Sequence, residues 1–87
     1  MMYYVYVLLS EMDGNFYTGF TSDLKRRIIE HQNGETKSTK HRRPLELVYY
    51  EACRSRLDAM KREKYLKTTY GHRYLKNRLS NDIWSDE

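Results

Sequence analysis

The stretch YTGFTSDLKRRIIEH, residues 17–31, predicts a short strand that ends at Gly19, followed by a cap and a helix. Short polar side chains can accept hydrogen bonds from the free amides of a first helical turn. Three such residues stand in a row: Thr21, Ser22 and Asp23. After the helix, Asn33 and Gly34 are expected to form its carboxyl cap.

One side of this helix combines apolar and cationic residues. At about 100° per residue, the side chains on that side are Leu24, Arg27, Ile28 and His31. Arg27 and His31 therefore flank the apolar stripe, and the neighbouring lysine and arginine point towards water. In the structural interpretation, Arg27 extends its charged end to solvent, and His31 lies at the edge of the buried stripe with its polar atoms hydrogen-bonded. In the functional interpretation, both belong to a site.

The other elements are predicted from pattern and turn chemistry. Residues 3–9 alternate and are aromatic or β-branched, so they indicate a strand buried on both faces. Residues 12–15 supply a turn, and residues 15–20 return as the second strand of a hairpin. Residues 45–51 are the predicted third strand, with Glu46 facing opposite to Leu45, Leu47 and Tyr49. Helices are predicted over residues 55–68 and 73–79, with residues 69–71 breaking the pattern between them.

The composition is that of one small basic domain. The 87 residues carry 16 Lys and Arg against 12 Asp and Glu, for a net charge of +4. We expect a single domain over residues 1–80 and an acidic tail over residues 81–87. The lone Cys53 and the lack of an apolar run near 20 residues favour a cytoplasmic protein without a membrane span. Basic groups interleaved with nine tyrosines suit a nucleic-acid backbone, although such charge also aids solubility.

Glu63 stands on the predicted apolar side of the second helix, between Ala59 and Leu66. A carboxylate there is costly unless it is paired or bound to a cation. One alternative is a structural ion pair, with Arg27 as the candidate partner. The other is a divalent-metal ligand, because Mg²⁺ often takes one or two protein carboxylates and completes its shell with water and phosphate oxygens. The single Cys53 and three scattered histidines favour neither a zinc site nor a thiol nucleophile.

An ordered set of motifs resembles the GIY-YIG nuclease superfamily, in particular its small stand-alone bacterial members. The resemblance runs from residue 3 to about residue 79, and the residues that carry it are Tyr4-Val5-Tyr6, Tyr17-Thr18-Gly19, Arg27, His31 and Glu63. Arg27 follows Tyr17 by ten residues and His31 follows four later. The chain departs from the family pattern at Tyr4, Val5 and Thr18, which replace Gly, Ile and Ile. Phe20 replaces a lysine of the excision-repair members, so activation of a tyrosine by that lysine is absent.

This resemblance implies a fold, a reaction and a cofactor. The fold is α+β, with a small three-stranded antiparallel sheet flanked by helices. The reaction is the hydrolysis of phosphodiester bonds in DNA, assisted by one Mg²⁺ or Mn²⁺ ion. The implied catalytic residues are Tyr6, Tyr17, Arg27, His31 and Glu63, with Glu63 as the metal ligand. Because a tyrosine ordinarily has a pKa near 10, the tyrosine that acts as general base needs a neighbouring cation or a relaying water. Both Tyr6 and Tyr17 are candidates for that role.

The expected DNA contacts lie on the first helix, on the outer face of the second, and in residues 35–43, a predicted mobile loop with four Lys and Arg. These residues are Lys25, Arg26, Lys37, Lys40, Arg42, Lys61 and Lys64. We expect weak sequence preference, selection by DNA structure or by a partner protein, and a role in repair or recombination. Two alternatives stay open: a binding module of the same fold without turnover, and a structural protein with a buried Glu63–Arg27 pair.

Overall fold

A three-stranded antiparallel sheet forms the middle layer of the computed structural model, which describes residues 1–83. Its strands lie in the order β2-β1-β3 and are β1 (Tyr3–Ser10), β2 (Phe16–Thr21) and β3 (Leu45–Cys53). The helices are α1 (Leu24–Gln32), α2 (Arg56–Leu66) and α3 (Thr69–Arg78), with a 3₁₀-helix at Lys40–Arg42. This arrangement confirms the predicted α+β fold. Residues 84–87, which belong to the predicted acidic tail, lie outside the described residues.

The central strand β1 is buried on both faces, as its pattern predicts. On one face Tyr6 and Leu8 pack with Leu45 and with the apolar side of α1. The opposite face packs against α2 and α3, and this second core consists of Val5, Val7, Ala59, Leu66 and Leu75. Burying a large aliphatic side chain contributes about 1.5–3 kcal/mol, so these two cores fix the layer order. α1 therefore covers one face of the sheet, and α2 and α3 cover the other.

The register between β1 and β2 places the two motif tyrosines on one face. Tyr6 pairs with Gly19, and Leu8 pairs with Tyr17. Directly opposed residues of an antiparallel pair point to the same face, so Tyr6 and Tyr17 both lie on the α1 side. A β-carbon at Gly19 would collide with the hydroxyl and ring of Tyr6. Glycine is therefore required at position 19 because the Tyr6 ring lies across it.

A β-bulge in β3 overturns one predicted side-chain direction. Val7 pairs with Tyr49, but the next residue of β1, Leu8, pairs with Leu47, which leaves Val48 as the extra residue. Leu47 consequently packs beside Leu8 on the α1 side, whereas Tyr49 packs on the α2 side. The prediction that Leu47 and Tyr49 share a face was wrong, because the extra residue reverses the alternation.

The third helix begins earlier than predicted. Thr68 caps α3 by accepting from the Gly71 amide at 3.2 Å, so residues 69–71 are helical rather than a break. A β-carbon at Gly71 would collide with the carbonyl of Tyr65 and the backbone of Leu66. Gly71 therefore permits the close approach of α3 to the end of α2, and does not terminate a helix.

The segment between α1 and β3 is anchored to the β1–β2 hairpin, so the prediction of a mobile loop was wrong for its second half. Ser10 Oγ donates to the Arg42 carbonyl at 2.6 Å. The Arg42 guanidinium binds Asp13 with an Nε–Oδ2 distance of 2.7 Å, and this hydrogen bond lowers the pKa of Asp13 to about 2. Thr39 is fully buried.

Candidate active site

A buried hydrogen-bonded chain joins β1, α1 and the segment before β3. The Tyr6 hydroxyl lies 2.8 Å from His31 Nε2, and His31 Nδ1 lies 2.7 Å from Thr39 Oγ1. All three side chains have essentially no exposed surface. Buried polar groups are costly when they lack partners, and here each polar atom has one. The chain therefore fixes the orientation of Tyr6 and the His31 ring.

Burial keeps this chain electrically neutral. Burial, followed by the neighbouring Tyr17, raises the pKa of Tyr6 to about 12, and the Arg27 guanidinium beside its hydroxyl opposes that rise. Burial, followed by repulsion from Arg27, lowers the pKa of His31, while Glu30 opposes this shift. At neutral pH Tyr6 is thus protonated and the imidazole is uncharged. A neutral imidazole can accept a proton at one nitrogen while donating at the other.

Tyr17 completes an aromatic cluster beside the chain. Its ring centroid lies 5.2 Å from that of His31 and 6.5 Å from that of Tyr6. Unlike Tyr6, Tyr17 is half-buried, and its hydroxyl faces Ser38 Oγ at 3.5 Å on the exposed side. Tyr17 is therefore the tyrosine of the pair that has access to solvent.

Arg27 and Glu63 do not pair with each other, and each has a partner on its own helix. Arg27 bonds to Glu30, with an Nε–Oε1 distance of 3.2 Å. Glu63 bonds to Lys67, with an Oε2–Nζ distance of 3.0 Å and 22% of its side chain exposed. The proposed Arg27–Glu63 pair is wrong, as is the placement of Glu63 on a fully buried stripe. The Arg27 guanidinium nevertheless lowers the pKa of Tyr6 by charge and by a hydrogen bond, whereas the Glu63 charge raises it as the smallest of the contributions.

Glu63 is the candidate ligand for a divalent cation, and it would supply a single carboxylate from the protein. Within residues 1–83, no group of three or more His, Cys, Asp or Glu side chains could hold a metal. A zinc cage is therefore not formed by these residues. A single, partly exposed carboxylate fits Mg²⁺ or Mn²⁺, which keep several waters and bind substrate phosphate oxygens. The present partner of that carboxylate is Lys67, whose side chain is about half exposed.

Most of the predicted DNA-contacting cations are exposed: Lys25, Arg26, Lys37, Lys40, Lys61 and Lys64. Arg42 differs, because its guanidinium is committed to Asp13 and to the carbonyls of Asn15 and Phe16. We therefore give Arg42 a structural role and not a DNA contact. No helix in residues 1–83 has the length and hydropathy needed to cross a membrane.

Two partners of the site were missed by the sequence. Thr39 lies eight residues after His31 in a segment without pattern, and nothing local signals their contact. Arg62 of α2 donates from Nε and Nη2 to Glu51 of β3 at 2.9–3.1 Å, a pairing across 11 positions that nothing in the sequence indicates. The guanidinium also stacks on the Tyr74 ring, 4.8 Å from its centroid. This contact secures α2, and hence Glu63, against the sheet.

Comparison with known proteins agrees with this geometry. Residues 2–78 match the model of the GIY-YIG catalytic domain, so the chain belongs to that family, which is of nuclease type. More particularly, it is similar to the UPF0213 proteins. It is 43% identical to one from Staphylococcus saprophyticus over 85% of this chain and 90% of the relative. It is 42% identical to another from Halobacterium salinarum, over 76% and 86%.

A solved structure supports the fold independently. The solution NMR structure of a UPF0213 protein from Bacillus halodurans is 38% identical in sequence and superposes with a TM-score of 0.56. The match covers 88% of this chain and 84% of the other. The resemblance seen in the motifs is therefore confirmed, together with the three-stranded antiparallel sheet.

Proposed function

We propose that the protein is a divalent-metal-dependent endonuclease that hydrolyses phosphodiester bonds in DNA. The observation that carries the proposal is the convergence of Tyr6, Tyr17 and His31 within 5.2–6.5 Å between ring centroids, with the Arg27 guanidinium beside the Tyr6 hydroxyl. Glu63 on α2 completes the set of motif residues, and its charge also acts on Tyr6. A proton-transfer group, a guanidinium and a carboxylate suited to a hard cation are what a phosphodiester hydrolysis requires.

The exposure of the two tyrosines supports different roles for them. Tyr6 has no exposed surface, so in this conformation its hydroxyl cannot touch an attacking water. Tyr17 reaches solvent and is proposed to contact that water, to release its own phenolic proton to solvent, and to take the proton of the attacking water as a phenolate. Tyr6 is proposed as a positioning residue: its hydroxyl donates to His31 Nε2, and His31 Nδ1–H donates to Thr39. Together they hold the imidazole edge that packs against the Tyr17 ring.

Arg27 and Glu63 are proposed to handle the negative charge. The Arg27 guanidinium, 38% exposed, can leave Glu30 and donate to the non-bridging oxygens of the scissile phosphate. Glu63 would hold the divalent ion. When bound, this ion supplies charge neutralisation at the phosphate and at the leaving oxygen. For Glu63 to bind the ion, the Lys67 ammonium would have to move away from the carboxylate that it now pairs with.

The exposed cations are proposed to position the DNA backbone. Lys25 and Arg26 on α1, Lys37 and Lys40 before β3, and Lys61 and Lys64 on α2 provide sequence-independent contacts. With contacts of this kind, we propose selection by DNA structure or by a partner protein rather than by base sequence. A cytoplasmic role in repair or recombination completes the proposal.

A DNA-binding module without turnover is the second candidate. The observation in its favour is the Glu63–Lys67 ion pair, because a carboxylate neutralised by lysine is not free to bind a cation. In that case the same cations would bind DNA in a salt-dependent manner, and metal would make no difference.

The test is cleavage of end-labelled duplex, nicked, flapped, branched and single-stranded DNAs with Mg²⁺ or Mn²⁺. We expect at least one form to be cut, and Arg27→Ala to reduce the rate by a factor of about 10² or more. Arg54→Ala is the matched control, because Arg54 is exposed and outside the cluster. Cleavage that survives in Arg27→Ala, or binding of every form without any cleavage, contradicts the proposed nuclease.

A further inference from the structure

A groove lined by arginine side chains adjoins the candidate active site at the end of the sheet. It has a volume of about 550 Å³ and lies where the start of β1, the end of β2 and the amino-terminal turns of α1 and α2 meet. Its cationic lining consists of Arg26, Arg27 and Arg56. Arg27 lines this groove and also lies beside Tyr6 in the candidate active site, so the two are contiguous.

The charge in this groove is unbalanced. Arg26 and Arg27 share a single carboxylate, that of Glu30, at 3.3 and 3.2 Å. Among the ion pairs of residues 1–83, none involves Arg56. Asp23 is the acidic residue that lines the groove, and one of its oxygens already accepts from the Arg26 amide as the cap of α1. Three arginines thus line the groove with two carboxylates, those of Glu30 and Asp23, to balance them, and this excess of positive charge favours an anionic ligand.

The groove also has an aromatic floor. The Tyr3 and Phe20 rings are stacked at 6.2 Å with an interplanar angle of 13°. The Arg56 guanidinium lies over the Phe20 ring, 5.8 Å from its centroid. Stacking on an aromatic ring holds an exposed guanidinium in place without an acidic partner, leaving its donors free for an oxyanion. A flat apolar floor beneath fixed guanidinium groups suits the sugar face and phosphate of a nucleotide.

We infer that this groove binds a second backbone phosphate of the substrate strand, next to the scissile one, with Arg56 as its principal ligand. The inference rests on the proposed function, because it assumes that the strand passes Arg27. It names a substrate contact that the sequence motifs do not include. Arg56 acts in binding, by fixing the register of the strand, and takes no part in the chemical step.

The test is DNA binding without metal, so that no cleavage occurs. The affinity of a labelled duplex is measured in EDTA between about 50 and 200 mM NaCl, for the parent, Arg56→Gln and Arg54→Gln. Arg54 is two residues away and exposed, so it is matched in charge and outside the groove. For Arg56→Gln we expect affinity to fall about three- to tenfold and the slope of log K against log[salt] to fall by about one. Arg56→Lys should restore most of the slope, and Arg54→Gln should change affinity less than twofold.

Each outcome decides the matter. Equal losses in Arg56→Gln and Arg54→Gln would mean that the effect is general charge, and no loss in Arg56→Gln would mean that no phosphate sits there. Either result overturns the inference. If the parent cuts no DNA but Arg56→Gln alone weakens binding, the proposed nuclease fails and the phosphate site stands, so the two failures can be told apart.

Discussion

Replacing Gly19 by alanine tests the packing on which the catalytic cluster depends. A β-carbon there would lie within 2.9 Å of Tyr6 Cε1 and closer still to the hydroxyl end of the ring. Tyr6 has no exposed surface, and its hydroxyl, the end of the ring that the β-carbon would meet, is held by the 2.8 Å contact with His31. Moving the hydroxyl to relieve the overlap would therefore strain or break that hydrogen bond. Overpacking of about 1–3 kcal/mol and a lost hydrogen bond of about 1 kcal/mol together predict a loss of about 2–4 kcal/mol.

The assay for Gly19→Ala is urea unfolding combined with the DNA cleavage rate. Gly14→Ala is the matched control: Gly14 has a φ of +71° and nothing within 4 Å of a new β-carbon, so it should cost only about 1 kcal/mol through backbone strain. It should leave cleavage intact, whereas Gly19→Ala should lower the rate by a factor of at least about 10 because the cluster is displaced. A Gly19→Ala protein as stable and active as the parent would refute the proposed contact between Tyr6 and residue 19.

Three further predictions concern His31, the two motif tyrosines and the ion pair between Arg62 and Glu51. Because the pKa of His31 is lowered in the folded state, the unfolded chain binds the extra proton as the pH falls. The free energy of unfolding should therefore fall below pH ~6.5 by up to ~1.4 kcal/mol per pH unit. His31→Gln should flatten this pH dependence between about pH 5 and 6.5, as measured by urea unfolding at each pH. Tyr17→Phe should lower kcat by about 10²–10⁴ without loss of stability, while Tyr6→Phe should lower the unfolding free energy by about 1–3 kcal/mol and kcat much less. The reverse pattern would exchange their roles. Glu51→Gln should cost about 1 kcal/mol by weakening the partly exposed Arg62 pair, and this loss should shrink between low and high salt in urea unfolding.

Local signals account for the parts of the fold that the sequence predicted. Asp23 caps α1 by accepting from the Arg26 amide at 3.2 Å, and Ser55 caps α2 by accepting from the Asp58 amide at 3.1 Å. Both contacts join residues three positions apart, so the sequence alone can indicate them. The β1–β2 hairpin is equally local, because alternation and a short turn define it.

The features that escaped prediction depend on distant parts of the chain. The Val48 bulge leaves no mark in composition, yet it reverses the direction of Tyr49. In the sequence Gly71 resembles a helix breaker. Its actual role, to let the backbone at the end of α2 approach α3 closely, is visible only in the fold. Within the candidate site, the resemblance named Tyr6 and His31, but the bond between them spans 25 positions and required the fold.

Metal-dependent DNA cleavage by Glu63→Gln is the decisive test of a nuclease in which Glu63 holds the divalent ion. Glu46→Gln is the matched control, because Glu46 is an exposed carboxylate on β3 that no proposed role involves. We expect the parent and Glu46→Gln to cut DNA with Mg²⁺ or Mn²⁺ and to stop in EDTA, and Glu63→Gln to be slower by a factor of about 10² or more. Cleavage by Glu63→Gln at the parental rate, or parental cleavage that persists in EDTA, would contradict the account.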